Sequence, residues 1–133
     1  MKTHKETAVT LGMKNMFGLL PEKRKIEFHL LGISKVIVDI NAVLRPKLTV
    51  IDGFYALEGP GPIGGNPVKM NLIIAGQDPV ATDATACRIM GIDPYQVYHI
   101  RKAYKKGFGE INSAKIDVVG ERIETVKRKF RRK

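Results

Sequence analysis

The stretch from Ile51 to Gly91, IDGFYALEGPGPIGGNPVKMNLIIAGQDPVATDATACRIMG, constrains the fold of this chain more than any other segment. It joins a loop rich in glycine and proline to an aliphatic strand, and that strand to a helix opened by Asp78-Pro79. This order is typical of α/β proteins, in which the amides of a glycine loop and of a helix N-terminus face an anion. The segment therefore predicts a ligand crevice, while the ligand and the reaction stay open.

Aliphatic strands alternate with helical patterns along the chain. Apolar residues at helical spacing predict a helix over 33–45, and a proline in the first turn predicts another over 79–90. The aliphatic runs 48–52 and 70–75 predict strands covered on both faces. We therefore expect a three-layer α/β sandwich, with a mixed or mostly parallel sheet covered by helices.

Weaker patterns complete the predicted elements. They indicate a short strand over 8–11, a helix beginning near Pro94 and a last strand over 115–119. A chain of 133 residues fits one domain. We expect a single α/β domain over 1–120, followed by a basic helix or tail over 121–133.

The formal charge of +10 is concentrated at the C-terminus, where the segment KRKFRRK at 127–133 holds six cations. Such a tail is usually a solubility feature or a frayed terminus, and contact with RNA or a membrane surface is the weaker alternative. No apolar run approaches the roughly 18 residues of a membrane span, and the N-terminus lacks the apolar region of a signal peptide. We therefore expect a cytoplasmic protein without membrane contact.

The single cysteine, Cys87, limits the cofactor chemistry. One cysteine excludes an internal disulfide, and this chain alone cannot hold an iron–sulfur cluster, which normally takes four cysteine ligands. Its apolar neighbours Ile89 and Met90 favour a small core residue over a nucleophile. The identity of any cofactor stays unknown.

The segment EGPGPIGGNP at 58–67 is the first candidate binding element. Its four glycines could hold a phosphate or carboxylate through backbone amides, although a tight surface loop explains them equally well; they are Gly59, Gly61, Gly64 and Gly65. No Gly-Lys-Ser/Thr follows, so hydrolysis of nucleoside triphosphates finds no support. We expect an anion to bind where this loop meets the helix beginning at Pro79, provided that the strands ending at Ile51 and Ala75 are parallel neighbours.

Acidic residues follow the predicted strands and open the predicted helix. Asp78 is expected to cap the helix, and Asp83 lies in its first turns, where a carboxylate interacts favourably with the helix dipole. Both are also candidate cofactor ligands. Asp52 is the candidate metal ligand, because a hard cation such as magnesium would bridge Asp52 and Asp83 if the fold brings them together.

Basic and polar residues near the N-terminus supply the candidate catalytic groups. His4 and His29 could transfer protons or bind a ligand, with a structural histidine as the alternative in each case. Lys14 and Asn15 could give an anion a positive charge and amide donors, or they form an exposed turn. His99 lies beside basic residues in a predicted helix and is expected on the surface.

Several motifs in combination resemble the family of the domain of unknown function 362. They are KTH, MKNMFG, His29, VIDGFYALEGPGPIGG and GQDPVATDA. The resemblance covers nearly the whole chain and implies an α/β domain that accompanies ferredoxin-like iron–sulfur modules in some members. Members usually carry a further N-terminal portion before the KTH-like motif, so the resemblance places this chain in the C-terminal part. It also favours His4 and His29 over His99.

The leading hypothesis is a cytoplasmic α/β domain that binds a small anionic ligand or cofactor in a redox-associated role. The redox role and an iron–sulfur protein partner follow only from the resemblance. The alternative is a non-catalytic module that contacts RNA or docks a partner through its basic residues, although few aromatic residues lie among them. A third hypothesis is a subunit completed by another polypeptide. Whether the chain is an enzyme stays open.

A homo-oligomer is also expected. A short α/β chain without part of its family's usual length leaves an apolar face or a strand edge uncovered, and a second copy is the simplest cover.

Overall fold

The computed structural model describes residues 1–21 and 25–132. Four strands and six helices occur within these ranges, together with short 3-10 turns. The strands are β1 (Lys2–His4), β2 (Ala8–Thr10), β3 (Thr49–Glu58) and β4 (Asn66–Gly76). The helices are α1 (Gly12–Asn15), α2 (Lys25–Leu30), α3 (Ile33–Leu44), α4 (Pro79–Ile89), α5 (Tyr98–Lys105) and α6 (Ile123–Val126).

The strands form one mixed sheet in the order β2-β1-β3-β4. β1 pairs with β2 antiparallel and with β3 parallel, and β3 pairs with β4 antiparallel. Helices pack against this sheet. The predicted α/β sandwich with a mixed sheet is therefore confirmed.

The predicted relation between the two main strands is wrong. β3 and β4 form one long antiparallel hairpin, with Thr49 opposite Gly76 at one end and Glu58 opposite Asn66 at the other. Both strands extend beyond the aliphatic runs 48–52 and 70–75, because a bulge between Gly53 and Tyr55 lets the pairing continue. The glycine loop therefore closes a hairpin and does not lead into a parallel neighbour.

The hairpin is covered on one face only, which corrects the expectation of two covered faces. Ile51, Ala56 and Val68 point into the core and are buried. On the opposite face, Val50 is 59% exposed and Ile73 is 73% exposed. The alternation along each strand separates these faces, because successive side chains point to opposite sides of a sheet.

The two long predicted helices are confirmed as α3 and α4. α4 is the central helix, and the small side chains of Ala84, Ala86 and Cys87 are completely buried on it. Small residues allow neighbouring elements to approach closely, and α4 packs against α1, α5 and β4. Cys87 is a core residue, as predicted. None of the helices in the described ranges has the length and apolar character that crossing a bilayer requires.

The weaker predictions have mixed outcomes. The strand near Ala8 is confirmed as β2, and the helix near Pro94 appears as a 3-10 turn followed by α5. The strand predicted over 115–119 is wrong, because Ser113–Lys115 form a 3-10 turn and 116–119 have no regular structure. Val118 and Val119 are exposed there, so neither side chain packs into the core as a strand of the sheet would require.

The basic C-terminal segment is docked over residues 128–131 and is not frayed there. The backbone amides of Arg128 and Phe130 donate to the carbonyls of Ile89 and Met90, at 2.8 and 3.0 Å. Phe130 is buried in the core. Gly91 fits this arrangement, because its φ of +68° ends α4 and a Cβ there would meet the backbone of the docked segment.

Candidate functional site

His4 stands at the end of β1, before the turn that leads to β2. The backbone amides of Glu6 and Thr7 donate to its Nδ1, at 3.1 and 3.3 Å. A nitrogen that accepts hydrogen bonds carries no proton, so Nε2 holds the proton of the neutral ring. Burial lowers the pKa of His4, and the positive charge of Lys14 lowers it further. His4 is therefore a neutral ring that offers an N–H donor.

Lys14 lies on the short helix α1, which is fixed by a carboxylate from the central helix. The fully buried Asp83 on α4 accepts hydrogen bonds from the amides of Gly12 and Met13, at 2.9 and 3.0 Å. Lys14 is half-buried, and burial lowers its pKa to about 8, with Glu6 opposing that change. Its ammonium therefore titrates much closer to neutral pH than that of a solvated lysine.

His29, on α2, faces Glu6. Its Nδ1 lies 3.3 Å from Oε2 of Glu6, and both side chains are about half exposed. The ring of Phe17 packs edge-on against the imidazole, with the ring centres 6.2 Å apart. A carboxylate beside Nδ1 favours the proton on that nitrogen, which leaves Nε2 as an acceptor. His29 and His4 therefore present opposite hydrogen-bonding characters at Nε2.

His99 is completely buried on α5, so its expected surface position is wrong. Neither ring nitrogen has a hydrogen-bond partner within the described residues. Burial lowers the pKa of His99 to about 3, and the charges of Lys14 and His4 contribute. A buried neutral imidazole with two unpartnered nitrogens is uncommon, because each unpaired polar atom costs about 1–3 kcal/mol.

The residues His4, Lys14, His29 and His99 lie on four elements, β1, α1, α2 and α5, and we call them the histidine cluster. The charge of Lys14 acts on His4 and on His99, and the charge of His29 acts on His4. His4 is therefore within electrostatic range of both other predicted catalytic residues, and His99 is within range of His4 and Lys14. Their catalytic role stays a prediction. Asn15 follows Lys14 on α1 and is exposed.

The glycine loop 59–65 lies beside the end of β1 that carries His4. The amide of Lys5 donates to the Gly61 carbonyl at 3.2 Å, and the Thr3 hydroxyl donates to the Gly59 carbonyl at 2.8 Å. Two loop amides are already used, since Gly59 donates to the Arg131 carbonyl and Gly61 to the Gly59 carbonyl, both at 2.8 Å. The amides of Gly64 and Gly65 as anion donors remain a prediction.

The crevice predicted between this loop and α4 is not formed. The loop closes one end of the hairpin, and α4 begins beyond the other end, with the ten residues of β3 between them. At about 3.3 Å per residue, this separation is on the order of 30 Å. The expected meeting of loop and helix N-terminus depended on parallel strands, which the antiparallel register excludes.

Asp78 caps α4, as predicted. Its Oδ1 accepts from the amides of Val80 and Ala81 at 2.8 and 2.9 Å, and its Oδ2 accepts from the amide of Glu110 at 2.7 Å. Both oxygens therefore serve the fold. Its contact with a cofactor stays a prediction.

The carboxylates proposed for a metal accept hydrogen bonds from the backbone amides of different elements. Asp52 is exposed and accepts from the Phe54 amide at 2.8 Å, while both oxygens of the buried Asp83 are bonded to α1. In the part of the chain that the structure describes, no group of three or more histidine, cysteine, aspartate or glutamate side chains could hold a metal ion. The magnesium bridge between Asp52 and Asp83 is thus without structural support.

Two members of this site were missed from sequence, Glu6 and His99. Glu6 follows His4 by two residues in an otherwise basic N-terminal segment, which was a signal for a pairing with histidine. His99 precedes the buried Ala103 by four residues, the spacing that places two side chains on one helix face. The neighbouring basic residues Arg101 and Lys102 instead indicated an exposed position for His99.

Comparison with known proteins identifies one family and one curated relative. The family model described as "Domain of unknown function (DUF362)" matches residues 1–88, a range that contains His4, Lys14 and His29 but not His99. The chain is 32% identical over 100 residues to "Thylakoid-associated protein sll1697" of Synechocystis. The alignment covers 71% of this chain and 31% of that protein, so the chain spans about a third of that relative's length. No solved structure matches.

Proposed function

We propose that this chain, which belongs to the family of the domain of unknown function DUF362, binds a small anionic ligand or cofactor at the histidine cluster. The carrying observation is the half-buried ammonium of Lys14, whose charge acts on His4 and His99. Burial makes the charged form of Lys14 costly, and a bound anion would offset that cost. The charge of Lys2 acts on Lys14 and adds to the attraction.

The chemistry of the cluster suits a ligand that carries both an anionic group and an exchangeable proton. Lys14 pairs with the anionic group, and Nε2–H of His4 donates a hydrogen bond to it. Nε2 of His29 accepts the proton, while Glu6 stabilises the imidazolium that results. The neutral ring of His99, whose nitrogens lack partners within the described residues, takes one hydrogen-bond partner from the ligand.

The finer parts of the proposal are a redox-associated role, an iron–sulfur protein partner and a cytoplasmic location. The first two are supported by the family resemblance alone. The relative is named for an association with thylakoids. The location of this chain therefore needs its own measurement, for which fractionation of the source cells is sufficient.

The alternative function is contact with RNA or a partner through basic residues. Its support is the exposed row of cations on and after α5, formed by Arg101, Lys102, Lys105 and Lys106. The docked C-terminus weakens it, because Phe130 is in the core and Arg131 is bound to Glu58. We therefore rank it second.

Titration calorimetry with inorganic phosphate, AMP and lactate tests the leading proposal. We expect Lys14→Gln and His29→Gln each to weaken binding about tenfold or more, the equivalent of roughly 1.4 kcal/mol. Lys105→Gln is the matched control, since it removes an exposed lysine on α5, and it should leave affinity unchanged. Absence of binding heat with all three anions would contradict the proposal.

A further variant distinguishes the leading proposal from the alternative of RNA contact. The triple variant Lys127→Gln, Lys129→Gln and Arg132→Gln removes tail charge but keeps Phe130 and Arg131, which the fold uses. Anion binding should survive this change. Salt-sensitive RNA binding that is lost in the triple variant would instead support the alternative.

A further inference from the structure

A separate cavity of about 690 Å³ opens between the C-terminal end of α3, the start of α4 and the turn after α5. This volume is in the range of small-molecule sites. No member of the histidine cluster lines it. The lining side chains that matter here are Asn41, Arg45, Lys47, Gln77, Lys106 and Phe108.

The cavity is positively charged. Arg45, Lys47 and Lys106 line it, and the aspartate in its wall, Asp78, has both oxygens engaged by backbone amides. Nζ of Lys106 also lies 3.8 Å from Oδ1 of the exposed Asp39. This ion pair is long and solvated, so it neutralises the charge of Lys106 only weakly. The positive end of the α4 dipole adds to this potential, whereas the C-terminal ends of α3 and α5 oppose it, so the side-chain cations decide the sign. These charges favour an anionic ligand.

Asn41 gives the wall a second and independent feature. Its side chain is only 5% exposed, and its Nδ2 donates to the carbonyls of Met13 and Ile37, both at 2.8 Å. These two bonds fix the orientation of the amide, because a flip would bring its oxygen against two carbonyls. Oδ1 of Asn41 then has no donor within the described residues. Buried acceptors are normally satisfied, and Asn41 lines the cavity, so a ligand bound there is a candidate source of the missing donor.

We propose that this cavity binds a small hydroxylated anion. A hydroxyl of the ligand donates to Oδ1 of Asn41, and its carboxylate or phosphate pairs with Arg45, Lys47 and Lys106. The unpaired oxygen distinguishes this ligand from a simple anion, because a propyl phosphate dianion or acetate has no donor for it. This site is independent of the histidine cluster and of the function proposed there.

Matched ligand pairs test the proposal by calorimetry on the unmodified protein. The first pair is glycerol 3-phosphate against propyl phosphate, and the second is glycerate against propionate. We expect the hydroxylated member of at least one pair to bind about tenfold more tightly. The pair that shows the difference identifies the anionic group as phosphate or carboxylate. Equal affinity within both pairs, or no binding at all, would overturn the proposal.

Variants then place the binding. Arg45→Gln with Lys47→Gln changes two exposed side chains and should weaken binding about tenfold, whereas Lys105→Gln should not. Chemical shifts locate the ligand without any substitution, and we expect the side-chain amide of Asn41 and the backbone amide of Gly107 to move. Shifts confined to His4, Lys14 and their neighbours would show binding at the histidine cluster and refute a second site.

Discussion

Arg131 binds the buried carboxylate of Glu58 with both its side chain and its backbone. Its Nε donates to Oε1 at 2.9 Å, and its amide donates to Oε2 at 3.0 Å. These bonds hold the pKa of Glu58 below its ordinary value, with the backbone amide as the larger cause. The C-terminal segment is thereby attached to the end of β3, next to the glycine loop.

Glu58→Gln should lower the free energy of unfolding by about 1–3 kcal/mol. Both oxygens of Glu58 accept from N–H donors, so the amide group of glutamine would place a donor against a donor. Urea denaturation at pH 7 measures the difference. Glu124→Gln is the control, because this exposed residue on α6 should change stability by less than about 0.5 kcal/mol.

The cost of Glu58→Gln should also depend on pH. Because the folded pKa of Glu58 is lowered, its stabilisation is complete above the ordinary pKa of a glutamate and is lost as the pH falls through the folded value. The difference between wild type and variant should therefore shrink below about pH 4. A difference that stays constant down to pH 3 would mean that the carboxylate charge is not used.

Lys14 should react as an unusually nucleophilic amine. Its pKa of about 8 leaves a large fraction unprotonated at mildly alkaline pH. We expect its modification by acetic anhydride, followed by peptide mass spectrometry, to reach half its maximal rate near pH 8. Bound phosphate should slow the reaction if the anion pairs with Lys14. A midpoint near that of a solvated lysine, about 10.4, would show that the amine is not buried.

Because the pKa of the buried Asp83 is raised, the protein should lose stability as the pH rises. Burial raises its pKa to about 7 in the folded state, so its contribution is greatest below about pH 4, declines up to about pH 7 and is constant above that. Asp83→Asn resembles the protonated acid and lacks this dependence. From pH 4 to pH 8 wild type should lose up to about 4 kcal/mol relative to the variant. Parallel stability curves for the two proteins would contradict the raised pKa.

The expected homo-oligomer can be tested on the uncovered face of the hairpin. Val50, Phe54 and Ile73 expose apolar surface there, and Asp52 and Lys69 provide opposite charges that two copies could pair. Light scattering at micromolar concentration should give a dimer or a larger assembly, and Ile73→Lys should weaken it at least about tenfold. Val43→Lys, at an exposed position on α3, is the control. A monomer mass for wild type would count directly against association.

Features with local causes were predictable from sequence. α3 and α4 follow from apolar spacing, and the cap at Asp78 follows from the residues that begin α4. Each depends on contacts within a few residues. Pairing of β3 with β4 was not predictable in the same way, because the strands continue through Gly53 and Tyr55, beyond the aliphatic runs that indicated them. With short strands, the intervening segment looked long enough for a parallel crossover.

In the candidate site, too, locally determined features were predictable and features that depend on tertiary packing were not. His4, Lys14 and His29 were identified by motif and chemistry, and in the structure the charges of Lys14 and His29 act on His4. The proposed meeting of loop 59–65 with Pro79 failed because it required a strand direction that the sequence did not specify. The burial of His99 depends on how α5 packs against the rest of the fold, which no neighbouring residue encodes.

The position of β1 between β2 and β3 has a consequence for the order of folding. Thr3 and Gly59, which are bonded across the β1–β3 boundary, lie 56 residues apart in sequence. The β1–β2 and β3–β4 hairpins each form from residues close in sequence. Pairing β1 with β3 closes a long loop and therefore costs more conformational entropy. A chain in which both hairpins exist but have not joined presents two open strand edges, one on β1 and one on β3. An unpaired strand edge can bind a strand of another chain. Hydrophobic packing around α4 must therefore pair β1 with β3 before such intermolecular pairing occurs.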